Sequence, residues 1–463
     1  MLLALPNDLT QSVLLVWLDI KNLAAVDNAY CNKAKREIYM ALAGSPEFIV
    51  QSMPKIDAQL TFVKWIVNRG IRIESLVISD CVQSLFVEYL KTHGEHVLRI
   101  QLRNMDFVES DCDSDDTGLM LQHCPNLQYL LFEECWMGKS IVEVIPKCAS
   151  SLQELYLRRC NESDEENTDL VDFAALPKLK VSALELCCDS YSAKALLQMT
   201  DPTCLRRLQV AWHDGNVGEV LHSVLATCTH LEGLALESED GDFLDDPFVA
   251  LLSTCPQIQH LDLSGCSELT DACIPTIART FTQLKSLNIS STNFSDTLLL
   301  ELAEHRAETL EVLHMDDNEV QGESLNVLLK QCHKLHTLRI ALPDKNVIDA
   351  PLLANLTTLI LECDNRPGPL LKKIAHHCRR LEFLGVVSFT LKETDFKCIN
   401  SKTFPALRKL HLFAMEQQRS DKIILKTLQA QRPHLEIMHN SNLAAYNFHD
   451  VVRGVISVSH DEL

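Results

Sequence analysis

Histidine and aspartate alternate at two places in the chain, a pattern that could hold a metal ion. The pairs are His260 with Asp262 and His314 with Asp316. Alternation along a strand places both members of a pair on one face of a sheet. The two pairs are two strands apart, which is roughly 10 Å and too far for one metal ion unless the side chains converge. We therefore expect a solvated polar ladder, with Asn288 between the pairs.

Other motifs that would indicate catalysis or ligand binding are absent from the sequence. There is no Gly-rich phosphate loop, no Gly-x-Ser-x-Gly and no His-Glu-x-x-His. Residues 111–115 begin like a calcium loop, but Asp116 stands where Gly is required and Gln122 where a bidentate Glu is required. No Cys-x-x-Cys pair of the kind used by zinc sites occurs. We expect no catalytic residue, no cofactor and no metal.

The elements that must position these side chains are set by an internal repeat. The phrase Leu-x-x-Leu-x-Leu, with Ile or Val allowed, starts again every 21 to 30 residues. This is the leucine-rich-repeat signature, and each phrase predicts a short strand that turns its leucines into a core. Apolar residues recur at helical spacing between phrases, as in residues 217–226. The phrases start at Ile73, Val97, Leu127, Leu152, Val181, Leu205, Leu231, Ile258, Leu284, Leu310, Leu335, Leu356, Leu381 and Leu407, with a degenerate copy at Leu435.

One repeat cannot bury its own apolar face, so the repeats must stack. We predict an α/β fold, a leucine-rich-repeat solenoid shaped as a horseshoe, with a parallel concave sheet and a helical convex face. The solenoid is expected over residues 73–437. A helical segment over 1–45 and a helical linker or cap over 46–72 precede it, and a cap or tail over 438–463 follows it.

Many of the 18 cysteines fall at repeat-specific positions, three residues before or after a phrase. Equivalent positions in a solenoid have equivalent environments, so we interpret these cysteines as small core-filling residues. Reduced thiols in this number suit the cytoplasm or nucleus. The terminal residues 460–463, His-Asp-Glu-Leu, match a retention address of the endoplasmic reticulum, which we interpret as a chance match because no convincing secretory signal is present. The repeat-positioned cysteines are Cys81, Cys124, Cys135, Cys160, Cys228, Cys255, Cys266, Cys332 and Cys378.

The formal net charge is −21, which argues against nucleic acid as a partner because phosphates attract basic surfaces. No apolar run is long enough to span a bilayer, so we expect no membrane partner either. Acidic residues concentrate in the runs 106–116, 162–169 and 237–246, each just after a strand phrase. These runs are either a solvated face or an edge that steers a protein partner with a basic patch.

Two segments resemble a known family. Residues 255–271, Cys-Pro-Gln-Ile-Gln-His-Leu-Asp-Leu-Ser-Gly-Cys followed by Ser-Glu-Leu-Thr-Asp, resemble the cysteine-containing leucine-rich repeats of F-box proteins. Residues 5–36 run Leu-Pro, an aliphatic helix, Leu-Asp, Lys, Leu, then Cys and basic residues, and resemble an F-box. The resemblance implies docking of a ligase adaptor subunit through Leu5, Pro6, Leu9, Val13, Leu14, Leu18 and Leu23. The same helices would also suit the terminal cap that a solenoid requires.

Side chains between the leucines of each phrase should project from the concave face. Arg and aromatic residues are enriched at binding hot spots, and apolar side chains on an exposed strand face indicate a contact surface. Ordinary variation along the strand face is the alternative. The candidate partner-binding residues are Arg99, Arg103, Tyr129, Tyr156, Arg158 and Arg207 in early repeats and Phe383 and Phe413 in late repeats.

These observations predict a non-enzymatic recognition protein. The resemblance implies the substrate-recognition subunit of an SCF-type cullin–RING ubiquitin ligase, which binds the adaptor subunit with its N-terminal helices and a target protein with its repeats. The alternative is a leucine-rich-repeat scaffold or regulator without a ligase.

Overall fold

The computed structural model describes a large part of the 463-residue chain. These residues belong to two compact units, the first up to Val224 and the second from Leu225. The F-box-like segment, most of the three acidic runs and the chain from residue 440 onward lie outside the described residues, and the domain boundaries stay predictions. The described ranges are 49–50, 60–79, 83–105, 121–137, 145, 150–162, 177–188, 190–212, 216–238, 252–316, 318, 322–342, 348–363, 367–388, 392–414, 426, 428–430 and 432–439.

The first unit contains a parallel sheet whose strands follow one another in sequence order. Its strands are β3 (Ser75–Ser79), β4 (Arg99–Arg103), β5 (Tyr129–Glu133), β7 (Glu154–Glu162), β8 (Ala183–Cys188) and β9 (Arg207–Trp212), and the short β6 (Trp136–Met137) pairs with β7. A separate pair is formed by β1 (Ile49–Val50) and β2 (Arg72–Ile73). The described helices are α1 (Leu60–Arg69), α2 (Gln83–His93), α3 (Ser190–Met199) and α4 (Asn216–Leu225).

The second unit repeats this plan. Its parallel strands are β10 (Gly233–Ser238), β11 (His260–Asp262), β12 (Ser286–Asn288), β13 (Val312–Met315), β14 (Thr337–Leu342), β15 (Thr358–Cys363), β16 (Phe383–Ser388), β17 (Lys409–Ala414) and β18 (Glu436–His439). Described helices are α5 (Ile274–Thr280), α6 (Asp296–His305), α7 (Gly322–Gln331) and α8 (Gly368–Ala375), and a 3₁₀ segment, Ala350–Asn355, takes the place of a helix in one repeat. Among the described residues, no helix is long and apolar enough to cross a bilayer.

The middle leucines of successive phrases lie directly opposite one another. Leu287 pairs with Leu313 and Leu313 with Leu338. All three side chains are fully buried, since one phrase after another turns the same face inward. Every predicted phrase forms a strand, and the helix predicted over 217–226 is present as α4. The leucine-rich-repeat solenoid is therefore confirmed as the fold of each unit.

The cysteines at the repeat positions are buried where the structure describes them. The Cys255 thiol donates a hydrogen bond to the Cys228 carbonyl oxygen at 3.0 Å, one repeat earlier. Cys378 donates in the same way to the Leu353 carbonyl oxygen at 3.5 Å. In the last repeat Arg432 takes this position, and its two Nη groups donate to the carbonyl oxygens of Phe404 and Leu407. In these three repeats, the residue three positions before the phrase therefore also ties its repeat to the preceding one.

We expect the buried thiols to resist modification in the folded protein. Burial raises the pKa of Cys124, Cys228, Cys332 and Cys378 to about 12, so the reactive thiolate is scarce near neutral pH. Eleven of the described cysteines are buried. Titration with a chromogenic disulfide reagent near pH 8 should leave these eleven unreacted for minutes, whereas all 18 cysteines of the chain should react in concentrated urea. Rapid reaction of the native protein to completion would contradict the packing described here.

Candidate partner-binding sites

The sheet face opposite the leucine core, here called the front face, carries the candidate partner-binding residues. In β4, buried Ile100 and Leu102 alternate with partly exposed Arg99, Gln101 and Arg103. This alternation follows from the two-residue period of a strand. The early candidates form one cluster in the first unit, which we call the early patch. It consists of Arg99, Arg103, Tyr129, Tyr156, Arg158 and Arg207 together with Glu133, Glu154 and Glu185.

Aromatic rings and guanidinium groups stack across the strands of the early patch. The guanidinium carbon of Arg99 lies 4.9 Å from the centre of the Tyr129 ring. The Tyr129 and Tyr156 ring centres are 5.1 Å apart, and the Arg158 guanidinium lies 5.1 Å from the Tyr156 ring. Such contacts contribute about 0.5–2 kcal/mol each, depending on their exposure. The stack holds these side chains in a defined arrangement on the front face.

Arg158 and Glu185 form a bidentate ion pair at the centre of the patch. Nε and Nη2 of Arg158 donate to the two carboxylate oxygens of Glu185 at 2.8 and 2.9 Å. The side chains are only 19% and 5% exposed. Burial by itself lowers the pKa of Arg158, but the neighbouring Glu185 carboxylate outweighs it, so the net pKa lies above the usual value. The Arg158 guanidinium is therefore charged at any physiological pH.

Two further arginines of the patch also pair with glutamates on neighbouring strands. Arg103 contacts Glu133 at 3.1 Å, and Arg207 contacts Glu154 at 3.2 Å. Tyr156 donates its hydroxyl to the other oxygen of Glu154 at 2.9 Å. Burial, followed by the charge of Glu154, raises the pKa of Tyr156, which keeps this donor protonated. The patch is therefore an ordered surface with nearly compensated charge, and its role in partner binding stays a prediction.

The acidic partners of the patch could have been found only through strand register. Glu154 and Glu185 lie in phrases of their own, and the sequence marks them no differently from other strand-face residues. Pairing of Tyr156 with Glu185 across β7 and β8 brings the glutamate beside Arg158. Arg158 and Glu185 are therefore in direct contact although they are 27 residues apart in the sequence.

The polar ladder of the second unit differs from the prediction. Asp262, Asn288 and His314 lie opposite one another on adjacent strands, as expected. These side chains are buried rather than solvated, with His314 only 1% exposed. The expectation of a solvated ladder is wrong because the short side chains turn back to the main chain. The Asp262 side chain accepts a hydrogen bond from the backbone N–H of Ser264, two residues further along the chain. The Asn288 side chain accepts one from the backbone N–H of Ser290 in the same way.

Asp316, two residues after His314, also belongs to this ladder. Its two carboxylate oxygens accept hydrogen bonds from the Ser290 hydroxyl at 2.5 Å and from Arg339 Nη2 at 2.6 Å. Arg339 in turn lies directly opposite His314 in the strand register. Burial, followed by the charge of Arg339, lowers the pKa of His314 to about 3. The imidazole is therefore neutral at physiological pH. Among the described residues, no group of three or more His, Cys, Asp or Glu side chains could hold a metal ion.

A small notch interrupts the front face in the late repeats. Gly385 lies in the middle of β16, between Ile360 on β15 and His411 on β17. Because glycine has no side chain, a small space of about 10 Å³, enough for about one water molecule, lies above it. We call this space the late notch, and it is lined by Arg339, Ile360, Phe383, Gly385, Val386, Val387 and His411.

Phe383, one of the two late candidates, lines this notch, whereas Phe413 belongs to β17 and its side chain lies outside the described residues. Ile360 and Val387 are buried, and both line the notch. Sequence reasoning missed Gly385. An isolated glycine inside a strand phrase was the available signal, since it often marks a close approach of another group.

Comparison with known proteins agrees with the repeat architecture. The chain is a leucine-rich-repeat protein by its fold. It is similar to the BTB/POZ domain-containing protein FBL11 of Arabidopsis thaliana, with 30% identity over 111 residues, which is 24% of this chain and 11% of that protein. It is also similar to F-box/LRR-repeat protein 5 of Mus musculus, with 32% identity over 85 residues, 18% of this chain and 12% of that protein. The resemblance to F-box and leucine-rich-repeat proteins is therefore confirmed over these segments.

These matches span only a small part of each relative. No protein-family model matches the chain. Among solved structures, the chain superposes on the Rad7 and Elc1 complex of yeast with a TM-score of 0.48 and 13% identity, over 93% of this chain and 92% of that chain. A likeness at this level carries no information about function.

We expect Arg158→Ala to destabilise the first unit by about 3 kcal/mol, because Glu185 would be left as an unpaired buried charge. Arg159→Ala is the matched control, since Arg159 pairs with Glu134 at a site where the two side chains are 75% and 46% exposed. It should cost less than about 1 kcal/mol. Urea titrations followed by circular dichroism would measure both. A combined Arg158→Met and Glu185→Met variant should recover most of the loss, and equal costs for the two single variants would refute the assignment.

His314 should make the stability of the second unit depend on pH. Its pKa is about 3 in the folded chain and about 6.5 when unfolded. The unfolded state therefore binds an extra proton as the pH falls below about 6.5, and stability is lost progressively down to pH 3. Between pH 7 and pH 5 the loss from this residue should be about 2 kcal/mol.

The measurement compares urea midpoints at both pH values for wild type and His314→Gln. The variant should lose less stability on acidification, whereas His377→Gln, at an exposed position, should behave like wild type. An unchanged slope in His314→Gln would show that the histidine is not held neutral.

Proposed function

We propose that the chain is the substrate-recognition subunit of an SCF-type cullin–RING ubiquitin ligase. The observation that carries this proposal is the similarity to an F-box/LRR-repeat protein together with a leucine-rich-repeat solenoid in both units. The name of F-box/LRR-repeat protein 5 joins the same two modules that the sequence resembles, an F-box and leucine-rich repeats. The order of the two segments along this chain supports the same assignment.

In this proposal, adaptor binding and target binding are carried out by separate parts of the chain. The apolar residues of the N-terminal helices, among them Leu14 and Leu18, dock the adaptor subunit. The front face of the repeats holds the target protein. The ligase then transfers ubiquitin because the target is held close to the transferring enzyme, and proximity of this kind can supply a large rate gain. The chain itself contributes binding and no bond-making chemistry.

The described front face supports binding of a macromolecule more than binding of a small molecule. Small-molecule pockets usually enclose about 300–1,000 Å³. The late notch has a volume of about 10 Å³, far below that range. We infer that the target is a protein, that the acidic runs favour a target with a basic patch, and that binding takes place in the cytoplasm or nucleus and leads to ubiquitin-dependent degradation.

The adaptor interaction can be tested with the full-length chain and the purified SCF adaptor subunit. Wild type should retain the adaptor in a pull-down, and Leu14→Asp combined with Leu18→Asp should weaken binding by at least about tenfold, because charged groups would enter an apolar interface. Arg159→Ala, which changes an exposed pair in the repeats, should bind like wild type. A folded wild-type chain that does not retain the adaptor would favour the alternative, a leucine-rich-repeat scaffold without a ligase.

A further inference from the structure

We propose that the late repeats carry a second interaction surface, a strip of exposed basic side chains that binds an acidic segment of a partner protein. It lies on α8 and on the turn that leads from α8 to β16, rather than on the front face. The inference therefore goes beyond the proposed function and holds equally for a scaffold without a ligase. We call this surface the basic strip, and it consists of Lys372, Lys373, His376, His377, Arg379 and Arg380.

Basic residues are concentrated in the last repeats, although the chain as a whole is acidic. Residues 366–439 contain 14 Lys and Arg against six Asp and Glu, which leaves 28 against 57 for the rest of the chain. Residues 225–365, the part of the second unit that precedes this segment, contain seven basic against 23 acidic residues. This segregation creates a local positive field that the net charge of −21 conceals.

The repeat pattern directs the basic side chains to the surface. The apolar residues of this stretch are buried, and they are Leu371, Ile374, Ala375, Cys378 and Leu381. Every residue between them is exposed, and each is a lysine, a histidine or an arginine. Because the apolar positions pack into the core, the helix and its turn present one continuous row of cationic and imidazole groups to the solvent.

The helix dipole accounts for only part of this charge. A cation near a helix C-terminus is stabilised by about 0.3–1 kcal/mol. Lys372 and Lys373 lie in the last turn of α8, whereas α5, α6 and α7 each have one basic residue there. Arg379 and Arg380 add two more cations beyond the helix end. Four like charges so close together repel one another, and an acidic ligand would relieve this repulsion.

The fold does not neutralise the basic strip. Within the part of the chain that the structure describes, the ion pairs include none of its lysines and arginines. Asp395 packs against Gly368 at the start of α8, but it is buried and accepts a hydrogen bond from the backbone N–H of Lys392 at 3.2 Å. The arginines of the early patch that pair with Glu133, Glu154 and Glu185 differ in this respect. An acidic partner of the basic strip would therefore displace no ion pair of the fold.

The next repeat extends the basic surface. Burial raises the pKa of the Cys398 thiol, and the charge of Lys372 is among the influences that oppose this shift. Lys372 therefore lies near Cys398, which belongs to the connection between β16 and β17. Lys397 and Lys402 belong to the same connection, and both are exposed. Cations from two successive repeats can thus contact one ligand.

A short acidic polypeptide suits this surface better than a nucleic acid or a membrane does. A long polyanion that continued past the strip would meet the acidic residues that precede it in the same unit. Aromatic residues for base stacking are absent from residues 371–381. Membrane-surface helices carry large apolar side chains beside their cations. Among the described residues, the large apolar side chains that are exposed are Trp136, Leu300 and Val327, all outside the basic segment. Asp and Glu carboxylates, in contrast, match guanidinium groups with paired hydrogen bonds.

The test uses the full-length chain and a fluorescein-labelled synthetic peptide of alternating glutamate and serine as the probe. Fluorescence anisotropy should detect binding at low salt, and a peptide with glutamine in place of glutamate should bind at least tenfold more weakly. Raising the salt concentration from about 0.05 M to about 0.5 M should weaken the acidic peptide at least tenfold, because salt screens exposed charges. Failure of the acidic peptide to bind at low salt, or equal binding of both peptides, would overturn the proposal.

A combined variant places the peptide on the basic strip. Lys372→Gln, Lys373→Gln, Arg379→Gln and Arg380→Gln together should weaken the acidic peptide at least tenfold. All four side chains are exposed, so the variant should fold, and circular dichroism and urea midpoints would check this.

A matched control removes the same number of exposed cations from the first unit. It combines Lys64→Gln, Lys91→Gln, Arg159→Gln and Lys180→Gln. The net charge of the chain changes equally in both variants, so the control should change the affinity less than twofold if the site is local. Equal affinities of the strip variant and the control would refute the assignment to the basic strip.

Two further probes decide the class of partner. Vesicles of phosphatidylcholine with phosphatidylserine and a DNA duplex should each bind more weakly than the acidic peptide at the same salt concentration. Tighter binding of either one would overturn the assignment to an acidic polypeptide. The strip variant should still retain the adaptor subunit, so adaptor binding without peptide binding, or the reverse, shows which of the two proposals has failed.

Discussion

The register between strands of successive repeats is the constraint on which the rest of this structure depends. Leu313 lies opposite Leu287 on one side and Leu338 on the other. The same kind of pairing aligns the leucines of neighbouring phrases within each unit. Because side chains alternate along a strand, this ladder of buried leucines also commits the intervening residues to the front face. A shift by one residue would exchange the two faces, so burial of the leucines specifies the binding surface as well as the core.

The same register decides which charges meet. Arg158 lies beside Glu185 only because β7 and β8 pair as they do, and the resulting bidentate contact is mostly shielded from water. In the second unit, Asp316 meets both Ser290 and Arg339 in this way. Both contacts are therefore fixed by strand register and join residues that are far apart in the sequence.

A recognition function suits this construction. Stacked repeats keep one frame and vary their front-face residues, so a change of partner requires no change of fold. The early patch offers stacked rings and ion-paired arginines on this face.

The sequence by itself determined the fold class, the position of each strand, and the burial of the leucines and of the repeat-positioned cysteines. These properties follow from short-range periodicity, which a single chain displays directly. Tertiary structure alone decided that the ladder around His314 is buried, that three arginines of the early patch are paired with glutamates, and that Gly385 leaves a small notch. Each of these depends on contacts between residues about one repeat apart, and their partners are set by strand register rather than by any local pattern. The physical reason is that the environment of a side chain on a sheet depends on residues of the neighbouring strands, whereas a sequence pattern shows only the neighbours along one strand.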